Sequence, residues 1–191
     1  MVVNPPPLLC VSLANGHQCR FDEIKLVVTI DPALSGSSHP LAGVHFQQRF
    51  ERSAYIACQR SYGAPIQWVR DFLAARPSKG QLPTSYRRGA AATDLNAFLP
   101  EQLVGALVRG LPVMDRRFHG RFLRDATLTG PEARGSSPVR VIRDPITRQS
   151  PAVAGLYPCG EGAGFAGGII SAAVDGLRTA RAIAATFAVT R

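Results

Sequence analysis

Between Gly155 and Arg181 the chain reads GLYPCGEGAGFAGGIISAAVDGLRTAR, and this stretch constrains the fold more than any other. A short apolar run, Leu156-Tyr157-Pro158-Cys159, is spaced as a strand. It passes directly into Gly160-Glu161-Gly162-Ala163-Gly164, after which small residues open a helix expected over Ala163–Ala188. Strand, glycine turn and helix N-terminus together suit an anionic cofactor. Glycine lets the backbone approach a ligand closely, and the first helical N–H groups have no intrahelical acceptor while the positive dipole end faces outward. The spacing is not that of a G-x-G-x-x-G fingerprint opening a Rossmann domain, because no second βαβ unit follows. Ile169, Ala173, Gly176, Leu177, Ala180 and Ile183 are the stripe this helix is expected to bury.

Upstream, apolar periodicity gives a coarse plan. Glycine and proline, 18 and 15 of 191 residues, imply many turns. Pro5-Pro6-Pro7 and the aperiodic Asn15–Asp22 mark residues 1–25 as an irregular N-terminal segment. Lys25–Ile30 reads as a β-branched strand stopped by Asp31-Pro32. Helices are expected over Pro40–Cys58 (apolar at Leu41, Val44, Phe50, Ala54 and Ile56) and over Ile66–Ala75 (Ile66, Val69, Phe72 and Leu73 on one face). A short helix capped by Thr93-Asp94 and interrupted by Pro100 follows, and then Glu101–Arg117 with Leu103, Leu107 and Leu111 inward. Ala126–Thr129 and Val139–Ile142 alternate as strands. The expected fold class is α+β with partial α/β character. Residues 26–125 read as a strand plus a helical subdomain, and residues 126–191 as strands with a closing helix.

Composition removes several function classes. The net charge of +9 rests almost wholly on dispersed arginine, with lysine only at Lys25 and Lys79. No aromatic residues interleave with a basic stripe, so nucleic-acid binding is disfavoured. Cys10, Cys19, Cys58 and Cys159 lack C-x-x-C spacing, and His17, His39, His45 and His119 form no ligand pair, so no metal site is expected. The N-terminus lacks a basic region before its apolar run, and no segment has the length and hydropathy of a membrane span. A cytoplasmic protein is therefore expected. No serine sits in a G-x-S-x-G elbow. The single Trp68 is expected to pack in the core.

Two constellations carry candidate chemistry, and each has a plainer alternative. Glu161 at the strand tip suits hydrogen bonds from sugar or ribityl hydroxyls, and Ala163–Gly168 holds no large side chain except Phe165, leaving room for a bulky ligand. Otherwise Glu161 is a dipole-favoured acid and Gly167-Gly168 serves close helix packing. The second is Gly135-Ser136-Ser137-Pro138-Val139-Arg140, preceded by Glu132 and Arg134. It would orient a substrate carboxylate or a flavin edge, or be a hairpin loop with exposed arginines.

These residues resemble a known family. GLYPCGEGAGFAGGIISAAVDGLRTA is similar to the closing segment of the bacterial FAD-dependent dehydrogenases also called NAD(FAD)-utilizing dehydrogenases. The resemblance extends to His39–Phe50 (a PLAG-x-x-FQ-x-x-x-E helix), to Gln67–Pro77 (Q-x-V-x-DFL-x-x-RPS), to Leu82–Arg87 (LP-x-SYR) and to Arg134–Arg140 (R-x-SSPVR). It spans about Lys25 to Ala184 in order. It implies a flavoprotein of glutathione-reductase type, in which an N-terminal βαβ unit grips the adenine half of FAD and a C-terminal strand and helix close the domain. Carried over, the cofactor-binding residues are Gly160, Glu161, Gly162, Ala163, Gly164, Phe165, Ala166, Gly167 and Gly168. Gly160 and Glu161 would lie at the ribityl or pyrophosphate region, and Gly162–Gly168 would offer helix amides to the isoalloxazine edge. Arg134, Ser136, Ser137 and Arg140 would lie near flavin or substrate. No G-x-G-x-x-G follows a strand in the first hundred residues, and Met1-Val-Val-Asn4 resembles a mid-protein segment of the family. The chain thus reads as the C-terminal portion of an FAD-dependent oxidoreductase, incomplete alone and completed by a separate or lost N-terminal FAD-binding half. A basic non-enzymatic binding module and a non-functional gene fragment are the alternatives. The fragment reading has a marker, namely exposed apolar surface around Leu156, Ile169, Ile170 and Leu177.

Overall fold

The computed structural model describes the backbone of residues 2–3, 8–15, 23–29, 36–117, 119–120, 123 and 125–187. Pro5–Pro7, His17, Cys19 and the Asp31-Pro32 stop lie outside the described residues. The fold is α+β. Its strands are β1 (Val2–Val3), β2 (Leu8–Asn15), β3 (Glu23–Thr29), β4 (Ala64–Trp68), β5 (Ala90–Ala92), β6 (Ala126–Glu132) and β7 (Arg140–Val141). Its helices are α1 (Ala42–Ala57), α2 (Val69–Leu73), α3 (Glu101–Arg117) and α4 (Ile169–Thr186). Two compact units divide the chain. The sheet unit takes Leu8–Ile30 and Gln47–Ala133, and the C-terminal unit takes Met1–Pro7, Asp31–Phe46 and Arg134–Arg191.

In the sheet unit five strands run in the order β3-β2-β6-β4-β5. All neighbours are antiparallel except β4 and β5. The centre is buried on both faces, so successive residues are covered. Ala126, Thr127 and Leu128 of β6 and Ile66 and Gln67 of β4 are all buried, with Gln67 opposite Leu128. Leu103, Leu107 and Leu111 of α3 are buried as their i, i+4, i+8 spacing predicts, and Pro112 is accommodated inside that helix. The turn Leu95–Ala97 is capped by Asp94, whose Oδ1 accepts the Asn96 N–H at 3.0 Å.

Several expectations are corrected here. Ile66–Ala75 is not one helix. Its start belongs to strand β4, because Ala64–Ile66 pairs with β5 and Ile66–Trp68 with β6, with Pro65, Ile66 and Gln67 buried; the helix starts only at Val69. The segment read as irregular contains strand β2 at its apolar run LLCVSL. Leu41 and Ile56 of the first helix are exposed, whereas Phe46, which the sequence reading passed over, is buried. Trp68 is half-buried rather than core, with the Arg70 guanidinium 4.6 Å over its ring.

In the C-terminal unit β1 pairs with β7, Val2 opposite Val141. The hairpin alternative for Gly135–Arg140 is excluded, since β6 pairs with β2 and β4 and not with β7. Leu156–Cys159 forms no strand, and the helix begins at Ile169 rather than Ala163. Gly160 (φ 69°) and Gly164 (φ 82°) explain the late start, because left-handed backbone holds the intervening residues as a turn.

Candidate functional site

The glycine turn is closed by its own backbone. Gly164 N–H donates to Glu161 O at 2.9 Å and Phe165 N–H to Gly160 O at 3.0 Å. A side chain at Gly164 would run into Val139 O and stand 2.9 Å from Arg140 Cα, so only glycine fits there. Val141 N–H donates to Ala163 O at 3.1 Å. The Ser137 hydroxyl reaches Val139 O (2.8 Å) and Gly162 O (3.3 Å), and Arg140 Nε donates to Gly164 O at 2.7 Å. The serine-arginine turn and the glycine turn, which the sequence reading singled out separately, are therefore one piece. The PLAG glycine belongs to the same assembly: a Cβ at Gly43 would stand 2.6 Å from Pro138 O. Ser136 lies in the same turn half-buried, and Arg134 is exposed at its start.

Beneath the turn lies an ion cluster that the sequence reading missed. Arg143 grips Asp175 of α4 with both nitrogens, Nη2 to Oδ1 at 2.7 Å and Nη1 to Oδ2 at 2.9 Å. Arg148 Nη1 reaches Asp175 Oδ1 at 2.8 Å and Thr179 Oγ1 at 3.1 Å. The Arg143 and Asp175 side chains are only 7% and 12% exposed, where removing one partner of an ion pair costs far more than at a surface. Gly160 N–H donates to Asp175 Oδ2 at 2.9 Å, so the carboxylate ties turn, helix and loop together. These donors, the Arg143 guanidinium first, hold the Asp175 carboxyl well below the usual carboxylate range. Two guanidiniums on one carboxylate leave the cluster net positive. Arg143 also lies 3.6 Å over the Phe165 ring, with Arg140 at 5.4 Å. The signal was present in sequence as Asp175 and Thr179 at i, i+4, an acid and a hydroxyl on one side of the helix.

The amide-rich mouth is placed differently from the expectation. Residues Gly162–Gly168 are turn, and Gly168 N–H is taken by Ser171 Oγ at 3.1 Å. The first intrahelical bond runs from Ala172 N–H to Gly168 O. The N–H groups of Ile169, Ile170 and Ser171 therefore have no acceptor among the described residues, and no acidic side chain occupies the first turn. A Cβ at Gly162 or Gly167 would meet nothing within 4 Å, so open space flanks the turn. Glu161 is exposed.

The stripe expected to be buried on α4 is not. Ile169 is 88%, Ile170 75% and Leu177 55% exposed, and Leu156 is 44% exposed. The helix turns Asp175, Gly176 and Thr179 toward the ion cluster instead, since only there are charge partners offered. This exposed apolar surface is the marker named above for the non-functional gene fragment, placed where a missing sheet would pack.

A second polar network sits in the sheet unit, where the Q-x-V-x-DFL-x-x-RPS residues meet. Gln67, fully buried, donates to Arg76 O (2.8 Å) and accepts the Leu95 N–H (2.8 Å). Asp71 accepts from Ser78 Oγ (2.7 Å) and Arg76 Nε (2.8 Å), and Ser78 Oγ in turn accepts the Trp68 N–H. Ser78 first, then Arg76, keeps the Asp71 carboxyl below its ordinary range. Every member has a partner, so this motif fixes loops rather than offering reactive groups. Of the cysteines, Cys58 is buried, which raises its thiol pKa, and Cys159 is exposed. Among the described residues no group of three or more His, Cys, Asp or Glu could hold a metal, and no helix is long and apolar enough to cross a membrane.

An uncharacterized protein of Clostridium beijerinckii is 44% identical over 164 residues, 85% of this chain. The chain spans only 31% of that relative's length. The sequence profile described as FAD-dependent protein, C-terminal domain-like, matches residues 17–135, which ends before the glycine turn begins. On that match, over more than half its length, the chain belongs to the FAD-dependent protein, C-terminal domain-like family.

Proposed function

We propose that the chain is the closing portion of an FAD-dependent oxidoreductase of dehydrogenase type, working on the cytoplasmic side and completed by an N-terminal FAD-binding half of glutathione-reductase type, on the same or a separate chain. The observation that carries this reading is the open first turn of α4 behind the glycine turn, in a chain of an FAD-dependent family. The donor set fits an anionic flavin. Three backbone amides, Ile169–Ser171, lack acceptors, a net positive cluster of Arg143, Arg148 and Asp175 lies under the turn, and glycine leaves space beside them.

FAD, when bound, supplies two-electron transfer through its isoalloxazine ring. The chain's own residues have simpler tasks. The α4 amides and dipole stabilise negative charge on the flavin edge. Gly160 and Glu161 would lie at the ribityl or pyrophosphate region, where the exposed Glu161 carboxylate would accept hydroxyl hydrogen bonds. Gly162, Ala163, Ala166, Gly167 and Gly168 keep that approach free of side chains, while Gly164 and Phe165 shape the turn with their amides already spent internally. Arg140, its Nε anchored on Gly164 O, and Ser137, its hydroxyl on Gly162 O, would lie near flavin or substrate together with Arg134 and Ser136. The exposed face of α4 supports incompleteness. Its apolar side chains, Ile169, Ile170 and Leu177, are of the kind a missing sheet covers.

The test compares this chain alone with an in-frame fusion to the remainder of the Clostridium relative, each incubated with FAD, desalted and scanned in the visible. The fusion is expected to retain flavin stoichiometrically and the isolated chain to lose it. Tight stoichiometric binding by the isolated chain refutes incompleteness. A fusion that is folded by circular dichroism yet colourless refutes the flavin assignment.

A further inference from the structure

Within the sheet unit, and apart from the glycine turn, lies a groove of about 870 Å³ between α1, the start of β4 and the end of β6. Small-molecule sites commonly enclose about 300–1,000 Å³. One face of α1 forms a wall. Gln48, Arg52 and Tyr55 stand at i, i+4 and i+7, the spacing that puts helical side chains on one side, and all three line the groove. Tyr62 lines it from the loop before β4, its ring centroid 6.0 Å from that of Tyr55 and tilted by 55°. These two rings make a wedge rather than a closed stack. Tyr86 lines the groove as well, but its hydroxyl is spent on Tyr62 O at 3.3 Å and steadies the loop. Nothing in the flavin reading uses these residues.

Few polar groups on these walls are left for a ligand. Glu51 and Glu132 line the groove, and both carboxylates already have partners within the protein. Arg52 differs from them. It is exposed, and its guanidinium makes no hydrogen bond, ion pair or ring contact among the described residues. Ala64 and Pro65 of β4 and Gly130 and Pro131 of β6 add small or apolar surface without charge. The uncommitted charge of the groove is therefore a guanidinium, whose planar fork matches a carboxylate. It stands three residues, about 4.5 Å along the helix axis, from the aromatic wedge, which takes a flat apolar body edge-on or offset. A ligand that satisfies both carries a carboxylate a few bonds from an aromatic ring.

We infer that this groove binds a small aryl carboxylate, its anionic head paired with Arg52 and its ring seated against Tyr55 and Tyr62. The inference stands whether or not the flavin reading holds, because its test contains no flavin. Hydrocinnamate, its neutral amide hydrocinnamamide and the matching phenylpropylammonium cation are titrated separately into the whole chain, and the tyrosine ring resonances are followed by NMR. The carboxylate is expected to shift Tyr55 and Tyr62 saturably and to bind about fivefold tighter than the amide, as suits an ion pair open to solvent. The ammonium is expected to bind weakest. Tyr157 precedes Pro158, whose carbonyl accepts from Arg143, so it reports an anion taken up at the other unit's cluster and is expected to stay unshifted. Arg52→Gln removes the preference for the carboxylate and leaves amide binding unchanged, while Tyr62→Leu weakens all three probes alike. Both side chains are exposed, so these replacements leave the fold intact, which the unshifted Leu103, Leu107 and Leu111 methyl signals check. Equal binding of carboxylate and amide reduces the groove to a merely apolar one and overturns the inference. So does a preference for the ammonium, an absence of saturable shifts at about 50 mM hydrocinnamate, shifts confined to Tyr157, or an Arg52→Gln protein that still prefers the anion.

Discussion

The two units are held by different physics. The sheet unit buries Ile66, Val69, Phe72, Leu95, Leu103, Leu111 and Leu128 to within 1% exposure, a packed apolar interior with one satisfied polar network threaded through it. Among its described residues the C-terminal unit buries few apolar side chains, Ala42 and Phe46 among them. Its long helix buries only Thr179, and what fixes that helix is Asp175 between Arg143 and Arg148, with the glycine turn hung on the same carboxylate. One region is stable on hydrophobic terms. The other trades apolar burial for directional bonds and leaves the oily face of its helix outward.

That contrast can be broken by substitution, and the largest effect belongs to the sheet unit. Leu103→Ala, at a site with no exposure, is expected to cost about 4 kcal/mol in urea unfolding, through lost transfer energy and a residual cavity. Comparable losses from truncating Ile169 or Leu177 would erase the distinction, because those side chains would then be buried in solution.

Asp175→Asn tests the other half. It leaves two nearly buried guanidiniums without their charge partner and is expected to cost about 3 kcal/mol, confined to the C-terminal unit. Hydrogen exchange is the measurement: α4 amides should lose protection while those of α3 keep theirs. The acid limb sharpens the point. Asp175 binds its proton far less readily folded than unfolded, so its stabilisation is fully present above the unfolded carboxylate value of about 3.9 and is lost as pH falls below it. Wild-type α4 should therefore loosen as the solution is acidified from about pH 4 downward, and D175N should show a flatter response. An unchanged acid limb in D175N would mean that another carboxylate carries the effect.

Gly164→Ala probes the turn itself. Left-handed backbone (φ 82°) and the proximity of Val139 and Arg140 main-chain atoms make alanine strained there, at about 2 kcal/mol. Gly167→Ala, which meets open space, should be nearly neutral for stability and serves as the internal control. Equal effects at the two glycines would show that the turn is not held against β7 as described.

How much of this was legible follows from the same contrast. Where periodicity and burial agree, as at Leu103, Leu107 and Leu111 of α3, sequence and structure coincide to the residue. Asp94 as a cap was equally readable, because capping is local. Ile66–Ala75 misled because a strand buried on both faces shows no alternation, and its mixture of Ile, Trp, Val and Phe fits a helical face as well. The stripe on α4 misled for the opposite reason. Its apolar period is real, but the described residues offer that face nothing to pack on, while Arg143 and Arg148, distant in sequence, capture the other side. The kinship of the glycine and Ser-Ser-Pro-Val-Arg turns was stated only as shared proximity to a ligand; their direct backbone contact depends on long-range placement that no spacing rule encodes.

The smallest expected effect is the one that separates an idle oily helix from a docking face. Ile170 is 75% exposed, so Ile170→Ser in the isolated chain should change stability by no more than about 0.5 kcal/mol, the usual range for surface positions. In the fusion with the rest of the relative the same substitution places a hydroxyl where apolar cover is expected, and the cost should rise to about 2 kcal/mol, read as a lower melting midpoint and faster flavin loss. The difference between the two contexts is the informative quantity. A substitution neutral in both would leave α4 an exposed helix with no partner, and one equally damaging in both would mean that Ile170 already packs within this chain.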